Sequence, residues 1–283
     1  MKNIWILARM TFREAIRRRI VLTGLALGLI FLTVFNIGFR LVYSNFNVDS
    51  SGTGEALTNI ITSEGLNALA LAGLYAVAFL SAAMGALLGA DTLSGEIVSG
   101  TIQTIVTKPV RRSEVVLGKW LGFAILLGLY SLLMSGGTVL SVWIQASHTM
   151  RNVFAGLALI YLESLLIMTI SLACSSFLSG LATGGVVFGL YGLSFIGGWV
   201  EQIGALMQNE TAVKVGIVTS LIIPSESLWR RAAVEMQSPL SAVLNMSPFG
   251  TFSAPSGLMI GYAVVYLVVM LMAAVSIFNH RDL

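Results

Sequence analysis

The sequence predicts an all-α integral membrane protein with six transmembrane helices, an N-terminal amphipathic interfacial helix and both termini in the cytoplasm. Of its 283 residues, 56% are hydrophobic and only 10% are charged, whereas soluble domains carry about 25% charged residues. The apolar residues are gathered into runs of roughly 20, the length at which a helix crosses a bilayer. These observations indicate a single transmembrane domain over residues 1–283.

The first predicted element is an amphipathic helix over residues 1–19. Its apolar residues recur at spacings of three or four, and its cationic residues fall on a neighbouring face. The apolar stripe comprises Trp5, Ala8, Phe12 and Ile16, and the cationic face comprises Lys2, Arg9, Arg13 and Arg17. Such a helix lies in the inner interface with its cations towards anionic headgroups, so membrane lipids are expected partners. The alternative is a basic flank that only sets topology.

Six apolar runs are long enough to span the membrane as helices. They cover residues 20–42, 66–90, 117–144, 153–177, 181–200 and 258–278. A seventh run, 213–223, is too short to cross and is expected to be re-entrant or interfacial. With the N-terminus inside, most Lys and Arg residues fall on the inner side, so the distribution of positive charge places both termini in the cytoplasm.

A polar stretch at 91–114 separates the second and third spans. Burying its charged side chains in lipid would cost on the order of 15 kcal/mol, so it lies outside the hydrocarbon, on the cytoplasmic side. Its apolar residues recur at roughly helical spacing, and the pair Lys108-Pro109 is expected to end the helix. The apolar positions are Leu93, Ile97, Ile102 and Ile105. The pattern indicates an amphipathic helix, with a membrane-hugging linker as the alternative.

The order of these elements, the motif "SGEIVSGTIQTIVTKPVRRSEVVLGKW" and the end "FNHRDL" resemble the type-2 ABC transporter permease family. The resemblance covers nearly the whole chain. Its most specific part is an acidic residue followed by Gly-Thr, a turn at proline, a basic residue and Gly-Lys. Ile97 stands where the family usually has a basic residue, and "TKP" stands where Thr-Pro or Ser-Pro is common. The size and the terminal "RDL" resemble the branch that includes permeases of copper-enzyme maturation systems.

The resemblance implies that segment 91–114 is a coupling helix that docks on a separate cytoplasmic ATP-binding subunit. It also implies two such ATPases per transporter, a homodimer or a pair of similar permeases, and a prokaryotic inner (plasma) membrane. The coupling residues that it implies are Asp91, Glu96, Gly100, Thr101, Lys108, Pro109, Arg111, Arg112 and Glu114.

The resemblance places a second, smaller cytoplasmic contact in "CSSFLSGLATGG", between the fourth and fifth spans. The candidate residues there are Ser175, Ser176 and Ser179. The alternative is a tight turn built from small residues.

The chain carries no motif for chemistry of its own. A P-loop needs GxxxxGK followed by Ser or Thr, but Trp120 follows the one Gly-Lys pair, Gly118-Lys119. ATP and magnesium are therefore expected in the partner ATPase, with no cofactor and no catalytic residue in this chain. His148 and His280 are expected on opposite sides of the membrane, so no metal site is predicted. No nucleic acid partner is expected.

Within the spans, small residues four apart let helices approach closely. Gly24 with Gly28 and Gly185 with Gly189 have this spacing in the first and fifth spans, which the resemblance implies meet across the dimer. These glycines are candidates for the translocation pathway or dimer seam, and packing within one subunit is the alternative.

Glu163 lies about ten residues into the fourth span, where a carboxylate should face a partner, a cavity or the bundle interior. The functional interpretation makes it a cation-binding or gating group in the pathway. The structural interpretation pairs it with a hydroxyl of a neighbouring helix or keeps it protonated.

The segment 201–257 is the largest predicted extracytoplasmic region. One helical face carries Leu228, Trp229, Ala232 and Met236, while Arg230, Arg231 and Glu235 point elsewhere. We expect a small lid at the outer leaflet, with Trp229 at the interface and room for an extracytoplasmic partner.

The sequence therefore predicts the permease subunit of an ATP-driven exporter. A secondary transporter or channel driven by an ion gradient is one alternative; it would require several intramembrane charges or broken helices with matching halves. The other alternative is a membrane anchor that relays ATPase motion to an extracytoplasmic partner without passing cargo.

Overall fold

The computed structural model describes residues 2–48, 55–90, 92–93, 95, 111–238 and 254–280. All regular secondary structure in this part of the chain is helical. The helices are α1 (Lys2–Arg17), α2 (Arg19–Val48), α3 (Glu55–Ala90), α4 (Arg112–Ala146), α5 (Val153–Ser175), α6 (Gly180–Leu206), α7 (Glu210–Ile222), α8 (Ser225–Met236) and α9 (Leu258–His280).

Six of these helices are long and apolar enough to cross a membrane, which confirms the predicted fold class. They are α2, α3, α4, α5, α6 and α9, one for each predicted span. The largest difference in length is in α3, which begins at Glu55 instead of 66. Helix α6 continues to Leu206 instead of ending at 200. The predicted outer segment 201–257 therefore begins inside this helix. The side of the membrane on which the termini lie stays a prediction.

The central helix of the bundle is α5. It contacts α3, α4, α6, α8 and α9, and its apolar residues are spread around its whole circumference, as expected for a helix enclosed by others. Close packing against α3 depends on two glycines. A Cβ at Gly85 would lie 2.7 Å from the Ser164 carbonyl oxygen, and one at Gly89 would lie 2.5 Å from the Ser171 Cβ.

Helix α1 packs along the first turns of α4. Its Ala8 and Ala15 are buried, and α4 presents Gly118 and Gly122 to it. Of the predicted apolar stripe, Ala8 is buried in this contact and Trp5 is 61% exposed. A buried face and an exposed apolar face are both expected for an interfacial helix, because one face packs on the bundle and the other meets lipid.

Helices α7 and α8 meet at an angle of 107°, the geometry of a broken span or a re-entrant loop. This agrees with the re-entrant interpretation of 213–223. The bend occurs at Ile223 and Pro224, where proline cannot continue the hydrogen-bond pattern of α7.

In α8 the predicted position of Trp229 at the membrane interface is wrong, whereas the lid at the outer leaflet stays a prediction. This helix contacts α3, α5, α6 and α9, and Trp229 is only 3% exposed, instead of lying at the interface. Arg230, expected on an outward face, is the largest fully buried side chain of the described residues. A helix with one buried face would expose Arg230, but α8 has neighbours on several sides and therefore buries it.

Candidate functional site

Of the predicted coupling residues, Arg111, Arg112 and Glu114 are described, and they lie at the start of α4. Glu114 Oε2 accepts hydrogen bonds from the Arg111 backbone N–H and from Asn3 Nδ2 of α1, both at 3.2 Å. Arg112 Nη1 donates to the Asn279 carbonyl of α9 at 3.3 Å. The start of α4 is thereby tied to both the N-terminal helix and the last helix.

The remaining predicted coupling residues lie outside the described residues. They are Asp91, Glu96, Gly100, Thr101, Lys108 and Pro109.

A small apolar cluster joins four helix ends beside this segment. Leu93 follows α3, Val116 lies near the start of α4, Leu172 belongs to the last turn of α5 and Phe278 to the end of α9. These residues pack together. The structure therefore brings the two ends of segment 91–114 against the ends of α5 and α9.

Lys119 is a buried cation that the sequence analysis used only as part of a motif. Its Nζ donates to the Thr92 carbonyl at 3.4 Å, just after the end of α3. A cation at this position is favourable because the last carbonyls of a helix carry partial negative charge. The preceding Gly118 lets α1 approach, since a Cβ there would lie 2.6 Å from the Leu7 Cβ. The Gly-Lys pair thus fixes α1 and α3 on α4.

The serines of the predicted second contact divide into two groups. Ser175 and Ser176 are fully buried, and their hydroxyls donate to the Leu172 and Ala173 carbonyls of α5. Ser179, just before α6, is exposed. Of the three serines, only Ser179 has a side chain that a protein partner can reach.

Glu163 lies in the middle of α5 and is 1% exposed. Tyr191 of α6 donates its hydroxyl to Glu163 Oε1 at 3.4 Å, whereas Glu163 Oε2 has no hydrogen-bond partner among the described residues. A hydroxyl from a neighbouring helix is the contact that the structural interpretation expects.

A second buried carboxylate, Glu226 of α8, lies in the same interior. It accepts a hydrogen bond from the Tyr75 hydroxyl of α3 at 3.3 Å, and Trp199 Nε1 of α6 donates to the same hydroxyl at 3.0 Å. The Glu226 side chain is also packed against Gly198, whose Cβ would lie 2.1 Å from its Cγ. The sequence analysis missed Glu226 because it placed 201–257 outside the bundle.

Arg230 of α8 forms a buried ion pair with Glu201 of α6. The distance from Nη1 to Oε1 is 2.7 Å and that from Nη2 to Oε2 is 2.8 Å. Ser220 of α7 accepts a further hydrogen bond from Nη2 at 3.3 Å. This pair connects three helices across the bend between α7 and α8. The only signal in the sequence was a glutamate directly after an apolar run.

The candidate seam glycines have different environments. A Cβ at Gly24 would lie 2.8 Å from Met84 Sδ, and one at Gly28 would lie 2.5 Å from Met134 Sδ, so both glycines pack against this subunit. In contrast, nothing lies within 4 Å of a Cβ at Gly185 or Gly189. Only the α6 pair leaves open space for another chain.

The described residues contain no cluster of three or more His, Cys, Asp or Glu side chains able to hold a metal ion. His148 follows α4, where burial lowers the pKa of its imidazole and the nearby Glu64 carboxylate partly opposes this effect. His280 is exposed at the end of α9, with its Nδ1 2.9 Å from the Ser276 carbonyl.

Comparison with known protein families matches residues 5–283 to the family described as ABC-2 family transporter protein. No curated protein matches the chain.

Proposed function

Since the chain belongs to the family of ABC-2 transporter proteins, we propose that it is the permease subunit of an exporter powered by separate cytoplasmic ATPases. Members of this family are the transmembrane subunits of ABC transporters and typically pair with ATP-binding subunits. Two ATPases per transporter and a prokaryotic inner membrane are part of the proposal. ATP and magnesium belong to the partner, and this chain supplies no catalytic group.

One observation carries the proposal: several helix ends are tied together beside the predicted coupling segment. Arg112 links α4 to α9, and Glu114 links α4 to α1. The cluster around Leu93 adds the ends of α3 and α5. A motor that moves segment 91–114 therefore acts on five helices at once, because interdigitated side chains transmit displacement.

The proposed pairing of permeases uses α2 and α6. Both are poorly buried within the subunit, and both contact α3, so they flank the same helix. On α6 the exposed apolar residues from Leu193 to Leu206 recur at spacings of three and four, a pattern that suits helix packing. Gly185 and Gly189 lie beside this stripe, where a second chain can approach closely.

The test is purification of the tagged chain from its native membrane in mild detergent, with mass spectrometry for a P-loop ATPase. We expect a stoichiometric ATPase with the wild type and its loss with Glu96→Lys. A matched control is Glu210→Lys, the same charge reversal at an exposed site on α7, which should keep the ATPase. If no ATPase is recovered with the wild type in several detergents, the proposal is rejected.

One structural feature favours the gradient-driven alternative and makes it worth testing. The bent pair α7 and α8 brings Glu226 towards Glu163, and broken helices with buried carboxylates occur in ion-coupled transporters.

ATP dependence separates the two functions. Transport into inverted vesicles that requires ATP and survives an uncoupler supports the ABC exporter, whereas transport that stops with the uncoupler alone supports the alternative. Movement of 201–257 driven by nucleotide without cargo flux would instead identify a relay.

A further inference from the structure

An apolar cavity lies where α1 turns into α2. Its volume is about 230 Å³, and its lining consists almost entirely of apolar side chains. These are Phe12 and Ile16 of α1, Val21 and Leu25 of α2, Met84 of α3, and Leu126, Leu129, Tyr130 and Leu133 of α4. It is a gap among four helices, and it is not lined by the residues of the proposed coupling or seam sites.

The depth of the cavity matches the acyl-chain region next to the headgroups. Leu25 is six residues beyond Arg19, which at 1.5 Å per residue is about 9 Å along α2. Leu129, which lines the cavity on α4, is 56% exposed. The cavity is therefore open to the chain of a lipid whose headgroup lies at the level of the α1–α2 junction.

Four exposed cations lie on α1 and at the start of α2, two of the helices that line this cavity. These cations are Arg9, Arg13, Arg17 and Arg19. Within the described ranges none of the four has an ion-pair partner. The neighbouring Arg18, in contrast, pairs with Glu14 at 2.7 Å. Arg13 and Arg17 directly follow the cavity-lining Phe12 and Ile16, so each projects about 100° further around α1. A lipid whose acyl chain occupies the cavity would therefore have the Arg13 and Arg17 guanidinium groups beside its headgroup.

We propose that this cavity is a binding site for one anionic phospholipid, with part of an acyl chain among the apolar side chains and the phosphate at Arg13 and Arg17. Charge complementarity identifies the lipid class, because guanidinium groups bind phosphate oxygens in a bidentate manner. A cavity whose lining is almost entirely apolar favours hydrocarbon. The site goes beyond the proposed transport function and does not depend on it.

The test is native mass spectrometry of the full-length chain, purified with its partner where one is recovered, from nanodiscs with equimolar phosphatidylglycerol and phosphatidylcholine. We expect one retained phosphatidylglycerol per chain, preferred over phosphatidylcholine by more than tenfold, because each surface cation contributes a factor of roughly five. The double variant Arg13→Gln/Arg17→Gln should lose this preference. The control Arg151→Gln changes an exposed arginine in the turn before α5 and should keep the preference.

A second pair of variants tests the cavity itself. Leu129→Trp should fill it and abolish retention of the lipid, and Leu132→Trp, on the same helix but outside the cavity and 65% exposed, should not. Both positions are exposed, so folding should tolerate either tryptophan. Equal retention of the two lipids by the wild type, or retention that both Leu129→Trp and the double arginine variant leave unchanged, would overturn the proposal.

Discussion

Arg230 and Glu201 form an ion pair that is almost completely enclosed by protein, with 2.7 and 2.8 Å between their two pairs of charged atoms. Arg230 is 1% exposed. The pair fixes α8 against α6 although 29 residues separate the two in the chain. It therefore holds the bent α7–α8 unit inside the bundle.

We expect Arg230→Met to destabilise the protein strongly, by about 3–5 kcal/mol, because it leaves the Glu201 carboxylate buried without its cation. The double variant Arg230→Met/Glu201→Leu should recover much of this loss, since neither charge is then buried. The measurement is the thermal midpoint in detergent, followed by fluorescence-detected size exclusion.

The control for the Arg230 and Glu201 variants is Lys214→Met, which breaks the exposed Glu210–Lys214 ion pair of α7. It should shift the midpoint little, because surface ion pairs contribute little to stability. If the Arg230 and Glu201 single variants are each no worse than this control, the pair does not hold α8 in place.

Glu163→Gln tests whether the buried carboxylate of α5 is structural. Its Oε2 has no described partner and Glu226 is near, so replacing the carboxyl group with an uncharged amide of similar size should keep or raise stability. Tyr191→Phe should cost only the hydrogen bond, about 0.5–1.5 kcal/mol. We expect ATPase activity of the reconstituted complex to stay near the wild-type level in both variants. Loss of activity in Glu163→Gln with an unchanged thermal midpoint would instead support the gating interpretation.

The contact between α1 and α4 depends on glycine. A Cβ at position 122 would lie 2.7 Å from the Ala8 carbonyl oxygen, a backbone atom that cannot move without shifting α1. Gly122→Ala should therefore destabilise by about 1–3 kcal/mol. Gly136→Ala is the matched control on the same helix, since nothing lies within 4 Å of its Cβ. That change should be neutral or stabilising by up to about 1 kcal/mol. Equal effects of the two substitutions on the thermal midpoint would contradict this role of Gly122.

The six spans could be predicted because a helix in lipid must be apolar over its whole length, and that requirement is local in sequence. The position of α8 could not be predicted in this way. It depends on the 107° bend at Ile223 and Pro224 and on pairing of Arg230 with Glu201, both of which require knowledge of distant neighbours. Ser175 and Ser176 show the same limit. Small polar residues at a helix end are suited to a surface contact, but they can equally be buried when their hydroxyls donate to carbonyls of their own helix, as they do here.

Lys119 shows where a motif and its physical role differ. The resemblance identified the Gly-Lys pair by type, but its contact with the Thr92 carbonyl depends on how α3 ends beside α4. The spacing of residues in the sequence does not show how the end of α3 approaches α4. The roles of Glu96, Gly100, Thr101, Lys108 and Pro109 stay predictions for the same reason, because sequence spacing does not determine their contacts.

The open glycines of α6 give a direct test of the proposed dimer seam. In a Cys174→Ala background, which removes the one native cysteine, Gly189→Cys should form a crosslinked dimer in native membranes with a short thiol-reactive crosslinker. The reason is that two α6 helices packed through small residues bring these positions close together. Gly261→Cys on α9 is the matched control, because its Cβ position is equally open in the subunit but lies on a helix outside the proposed seam. Crosslinking at position 261 without crosslinking at 189 would move the seam from α6 to α9 and reject the proposed arrangement.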